Sequence, residues 1–126
     1  MGTRGSITIK YQGKRYTVWN HYDSYPSSLG QALVNIILKN IDITLEELLG
    51  QIAEITDTDV PVEIDTETWT DYTWKYIINL DKKMFVIRIP DYNGYTGICY
   101  FRTVDKVSFS EIHTLDMFEL DDHEDD

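Results

Sequence analysis

The chain is poor in cysteine, proline and positive charge. It has one cysteine and three prolines, and 11 Lys and Arg residues stand against 22 Asp and Glu in 126 positions. A lone cysteine excludes an intrachain disulfide framework and the paired thiolates of most structural zinc sites. Cys99, between Ile98 and Tyr100, is expected to pack as a small hydrophobe. The net charge of -11 repels phosphate backbones and anionic lipid, so direct nucleic-acid binding and membrane-surface binding are not expected, whereas a basic partner is compatible. No apolar run approaches the roughly 20 residues of a membrane-spanning helix, and no basic start followed by an apolar stretch marks a leader, which points to the cytosol. A phosphate-cradling Gly-x-x-x-x-Gly-Lys loop, a Gly-x-Ser-x-Gly elbow and a dinucleotide fingerprint are all missing. His21, His113 and His123 are scattered without ligand spacing, so neither a metal nor a cofactor is expected.

What is present suits a packed core: 42% of residues are hydrophobic and 13% aromatic, including nine tyrosines and three tryptophans. Charge is segregated along the chain. Arg4, Lys10, Lys14 and Arg15 make the start positive, Glu54 to Asp71 carries acids without a base, and Asp116, Glu119, Asp121, Asp122, Glu124, Asp125 and Asp126 crowd the end. These features predict one α+β domain over residues 1–118 and a disordered acidic tail over 119–126.

Hydrophobic periodicity supplies the elements. Ser6 to Tyr11 and Arg15 to Trp19 alternate in β fashion around Gln12-Gly13-Lys14, the pattern of a hairpin. Pro26-Ser27-Ser28 offers turn and helix-start chemistry before a helix striped by Leu29, Leu33, Ile36 and Ile37, with Val34, Leu38 and Ile41 widening its apolar arc so that it is covered on more than one side. Thr44 with Glu47 forms a capping-box pattern for a second, more peripheral helix carrying Leu45, Leu48, Leu49, Ile52 and Ile55. Thr56 to Thr73 reads as a long loop with room for a short extended piece at Val60 to Ile64. Trp74 to Leu80 and Met84 to Ile89 form a second hairpin, apolar enough on both faces to be central, and Ile98 to Val104 returns as a further strand after the Asn93-Gly94 turn. Ser108 to Phe118 is ambiguous: Ser108 with Glu111 favours a short helix, but the apolar spacing is imperfect. The predicted fold is therefore an antiparallel sheet, elements in the order β-β-α-α-β-β-β, with two helices packed on one face.

Chemistry concentrates where the second strand hands over to the first helix. Asn20, His21, Tyr22, Asp23, Ser24, Tyr25, Ser27 and Ser28 gather near the first helical amides, which can hold an anion. His21 and Asp23 share a face of an extended segment, so the carboxylate can orient the imidazole for general-base work. The same spacing equally suits a local hydrogen bond that fixes the loop. The loop from Asp91 to Gly97 sets Tyr92 and Tyr95 beside flexible glycines, a composition suited to contact surfaces. With Tyr22, Tyr25, Trp69 and Tyr72 these rings can line an aromatic groove, or pack over the sheet with their hydroxyls in water. Met1 to Ser6 fits the loose template for acylation of Gly2, the one route to a membrane, although a single acyl chain anchors only marginally. The long hairpin edge beginning at Ser6 can pair with a second copy, giving a homodimer.

The opening Met1-Gly2-Thr3-Arg4-Gly5, the hairpin with Gly13-Lys14, and the segment Trp19-Asn20-His21-Tyr22-Asp23-Ser24-Tyr25-Pro26-Ser27-Ser28-Leu29-Gly30 resemble recurrent small uncharacterised proteins of bacteriophages and of large DNA viruses of amoebae, such as marseilleviruses and mimiviruses. The resemblance covers the first forty or so residues, and loosely the Trp74 to Ile89 hairpin. It implies a viral origin and a place in the host cytoplasm, the nucleus or the virion. In layout, a hairpin followed by two helices and returning strands also resembles half of an N-terminal-nucleophile hydrolase. That likeness implies a small amidase-like enzyme with Thr3 as nucleophile beside His21 and Asp23, provided that Met1 and Gly2 are removed. The leading expectation is a non-enzymatic accessory protein that binds a host or viral protein, or a small ligand, through Asn20 to Ser28 and the neighbouring tyrosines. The alternatives are the hydrolase and an abundant virion component.

Overall fold

The computed structural model describes residues 5–20, 23–58, 62–64, 74–92 and 99–120, except the side chains of 62–64, 90–92, 99–101 and 118. The alternating segments at the start form β1 (Gly5–Tyr11) and β2 (Lys14–Asn20), joined by a two-residue turn in which Gln12 and Gly13 both adopt positive φ, 49° and 79°. Such a turn matches the twist of the flanking strands, and glycine meets its left-handed requirement at no steric cost. A π-type turn, Pro26–Gly30, runs directly into α1 (Gln31–Lys39), and α2 (Leu45–Thr56) follows. Then come β3 (Val62–Ile64), β4 (Trp74–Asn79), β5 (Met84–Tyr92) and β6 (Cys99–Ser108), a 3-10 turn at Phe109–Thr114, and α3 (Met117–Leu120).

The described strands form one mixed six-stranded sheet in the order β3-β2-β1-β4-β5-β6. The expectation of a wholly antiparallel sheet is corrected at its centre: β1 and β4 run parallel, Gly5 opposite Trp74 and Ile9 opposite Ile78. The reason is the extra strand. β3 takes the outer edge of β2, which leaves the other side of β1 for β4, and β4 pairs there in parallel. Pairing elsewhere is antiparallel, and the β5–β6 pair carries an irregularity at Ile87/Arg88.

One sheet face presents Ile7, Ile9, Val18, Tyr76, Ile78, Phe85 and Ile87 to the helices. Leu33, Val34, Ile36 and Ile37 of α1, Leu48, Leu49 and Ile52 of α2, and Phe109, Ile112, Met117 and Leu120 close the core. The expected breadth of the α1 stripe is corrected at its far end, where Leu38 is 50% and Ile41 42% exposed. Asn40 leaves the helix in an extended conformation, so Ile41 never reaches its face. Leu120, which the sequence reading puts in the tail, ends α3 and is buried; residues 121–126 lie outside the described residues. No helix among the described residues is long and apolar enough to cross a membrane.

The other face is polar and cationic. Strand register places Ser6, Thr8 and Lys10 of β1 beside Trp19, Thr17 and Arg15 of β2 and beside Lys75, Ile77 and Asn79 of β4; Arg88 lies opposite Lys75, and Lys106 opposite Val86. Thr8 and Thr17 share a hydroxyl hydrogen bond of 3.0 Å. The middle of this face is buried as well, Thr8, Lys75 and Ile77 each under 5% exposed. Burial, then the charges of Arg88, Lys10 and Arg15, hold the Lys75 ammonium down at about 8.

Candidate functional site

The β2–α1 junction separates into a buried half and an open half. β2 ends at Asn20, which is 8% exposed, and Ser24 is fully buried. The Asn20 amide Nδ2 donates to Ser24 Oγ over 2.8 Å, and Ser24 Oγ faces the Asn20 carbonyl at 3.4 Å. The Tyr76 hydroxyl, arriving from the middle of β4, donates to the Ser24 carbonyl over 2.6 Å. A Cβ at Gly5 would lie 2.6 Å from Ser24 Cβ and 3.1 Å from the Trp74 carbonyl, so only glycine at this position lets the junction close onto β1. Two residues expected to meet a ligand, Asn20 and Ser24, thus pin the crossing from strand to helix.

Asp23 is the bend in that crossing. It sits at φ 48°, a left-handed conformation that aspartate tolerates better than most residues, and it is exposed. The Leu29 amide donates back to the Asp23 carbonyl over 3.3 Å, and the Ser28 and Gly30 amides donate to the Tyr25 carbonyl over 2.9 and 3.3 Å. The expected anion cradle is therefore corrected: these three amides are engaged by the chain itself. The turn and helix-start chemistry expected of Pro26-Ser27-Ser28 takes the form of the π-type turn. The cap position is held by Tyr25, whose side chain makes no cap hydrogen bond, and Pro26 follows it, with a fixed φ suited to the first turn.

The open half is a cleft of about 280 Å³ between this bend and the C-terminal end of α2, lined by Asn20, Asp23, Ser28, Leu29, Ala32, Ile55, Thr56 and Asp57. Its second wall went unrecognised in the sequence. Asp57 caps α2 at φ 53°, its amide and that of Thr58 donating to the Glu54 and Ala53 carbonyls, while the Thr56 hydroxyl donates to the Ile52 carbonyl over 2.8 Å. Two exposed aspartates and the negative end of a three-turn helix dipole therefore meet across a space floored by Leu29, Ala32 and Ile55. The arrangement favours a cation with an apolar stem and opposes an anion.

Of the other sequence candidates, Tyr25 is exposed and Ser27 half-buried at the start of the π-type turn. Tyr92 ends β5, but its side chain is outside the described set, and Thr3, His21, Tyr22 and Tyr95 lie outside the described residues. The catalytic alternative of Thr3, His21 and Asp23 is thus represented by Asp23 alone. Trp69, Tyr72, Gly2 and the Cys99 side chain are likewise outside. Comparison with protein-family models, curated proteins and solved structures finds no match to this chain.

Proposed function

We propose that the chain is a non-enzymatic binding module, an accessory protein of viral origin as its sequence resemblance implies, and that the cleft between the β2–α1 junction and the end of α2 receives a positively charged group from a partner protein or small ligand. The observation that carries this reading is the pairing of exposed Asp23 and Asp57 across an open space with apolar walls. A lysine or arginine stem would lie along Leu29, Ala32 and Ile55, and its charged head would face the two carboxylates and the carbonyl end of α2. The net charge of -11 draws such a partner in and keeps anions away.

Asparagine keeps the shape and left-handed tolerance of aspartate while removing its charge, so the double variant D23N/D57N isolates the electrostatic part. Exposed ion pairs contribute about 0.2–1 kcal/mol each. Binding of a fluorescein-labelled lysine-rich hexapeptide, followed by anisotropy at physiological salt, is expected to weaken by about 2- to 30-fold in the double variant. An unchanged affinity would remove the cleft from the account.

A further inference from the structure

The sheet carries opposite charge on its two sides. On the face away from the helices, strand register brings together Lys10, Arg15, Lys75, Arg88 and Lys106, and no described strand side chain on that face is acidic. Lys10 faces Arg15 directly across β1 and β2, and Lys75 faces Arg88 across β4 and β5; like charges so placed destabilise a sheet. Lys14 and Lys82, exposed at the hairpin turns, extend the positive surface. The helical side shows the reverse: Asp23, Asp42, Glu46, Glu47, Glu54 and Asp57 are all exposed there, with Lys39 and Lys83, the latter paired with Asp42, as cations among the described residues. Seven of the eleven bases are thus gathered onto one side of the molecule, to an extent that the composition alone does not require.

We infer that this cationic side docks a second copy of the same chain, seating against its acidic helical side. The inference rests on the cleft reading for one of its two surfaces and names the basic partner. Because the complementary surfaces lie on opposite sides of one layer, the contact is heterologous, head to tail, and leaves each outer copy with an unused surface. A two-fold dimer would instead put like charge against like. The buried middle of the face, Lys75 and Thr8, takes no part; the contact is made by the accessible rim of Lys10, Arg15, Lys82 and Lys106. At physiological salt, charges beyond about 8 Å are screened, so the overall repulsion between two copies is muted while pairs at the contact keep their attraction.

Two variants test this in the full chain. Lys10→Glu with Arg15→Glu reverses the cationic side, and Glu54→Gln with Asp57→Asn neutralises the acidic side. Wild type is expected to show a weight-average mass by light scattering that climbs with concentration past the dimer. Each variant alone should remain monomeric. Their equimolar mixture should form a complex of twice the monomer mass and stop there, since only one complementary pair of surfaces survives. Lys82→Glu, on an exposed turn, replaces the strand variant if circular dichroism shows that the latter is unfolded. Wild type that stays monomeric, or a mixture of folded variants that stays monomeric, overturns the inference. If the lysine-rich hexapeptide still binds the wild-type cleft in that case, the self-docking inference falls and the cleft reading stands.

Discussion

Ser24 shows how one small residue decides what its neighbours can do. It is buried against Gly5, accepts from Asn20 and offers its carbonyl to Tyr76, so four segments of chain meet at one hydroxyl-bearing residue. Because these bonds are satisfied internally, Asn20 and Ser24 hold the junction, and Asp23, one residue earlier than Ser24, is turned outward by its positive φ. Tyr76→Phe removes the donor and leaves a buried carbonyl without its bond, which costs about 1–3 kcal/mol. Urea unfolding should show that loss as a lower midpoint at unchanged slope. An unaltered midpoint would mean that the junction is held by something other than this hydrogen bond.

At the scale of elements, much of the fold is legible in the sequence because it rests on local signals. The alternation in Ser6–Tyr11 and Arg15–Trp19 marks both strands of the first hairpin, and the Thr44–Glu47 pair marks the start of α2, where Glu47 donates its amide to the Thr44 hydroxyl over 3.3 Å. The apolar density of 74–79 and 84–89 places β4 and β5 inside the sheet, where each has a neighbour on both sides. Local signals do not carry pairing between distant segments, and this is why the parallel contact of β1 with β4 is absent from the sequence reading. The candidate site divides in the same way. Asp23 and Ser28 belong to a dense polar segment and stand out, whereas Asp57 is one of several acids in the stretch from Glu54 to Asp71 and is singled out only by the packing of α2 beside the junction. Polarity does not separate the two roles at Asn20 and Ser24, because a polar residue at a turn reads alike whether it faces solvent or closes a buried hydrogen bond.

The whole molecule carries a strongly negative charge, with Lys10, Arg15, Lys75, Arg88 and Lys106 together on one sheet face, and this arrangement has a stability consequence. Lys75 is lowered to about 8 in the folded chain, first by burial and then by Arg88, Lys10 and Arg15, from 10.5. Below pH 8 the group is charged in both folded and unfolded chains, and the full penalty of burying it is present. Between 8 and 10.5 the folded chain has released the proton and the unfolded chain has not, so this group's contribution to stability rises with pH. The melting temperature of wild type relative to Lys75→Met should therefore increase from pH 7.5 to 9.5, and a pH-independent difference would mean that Lys75 titrates normally. For function, the decisive question is where a cationic ligand settles on a molecule with so many acids. Titration of the ¹⁵N-labelled chain with the lysine-rich hexapeptide at physiological salt, followed amide by amide, answers it most directly. The account predicts saturable shifts centred on Asp23, Ser28, Thr56 and Asp57. Shifts centred on the acidic C-terminus, with those four amides unmoved, would contradict it.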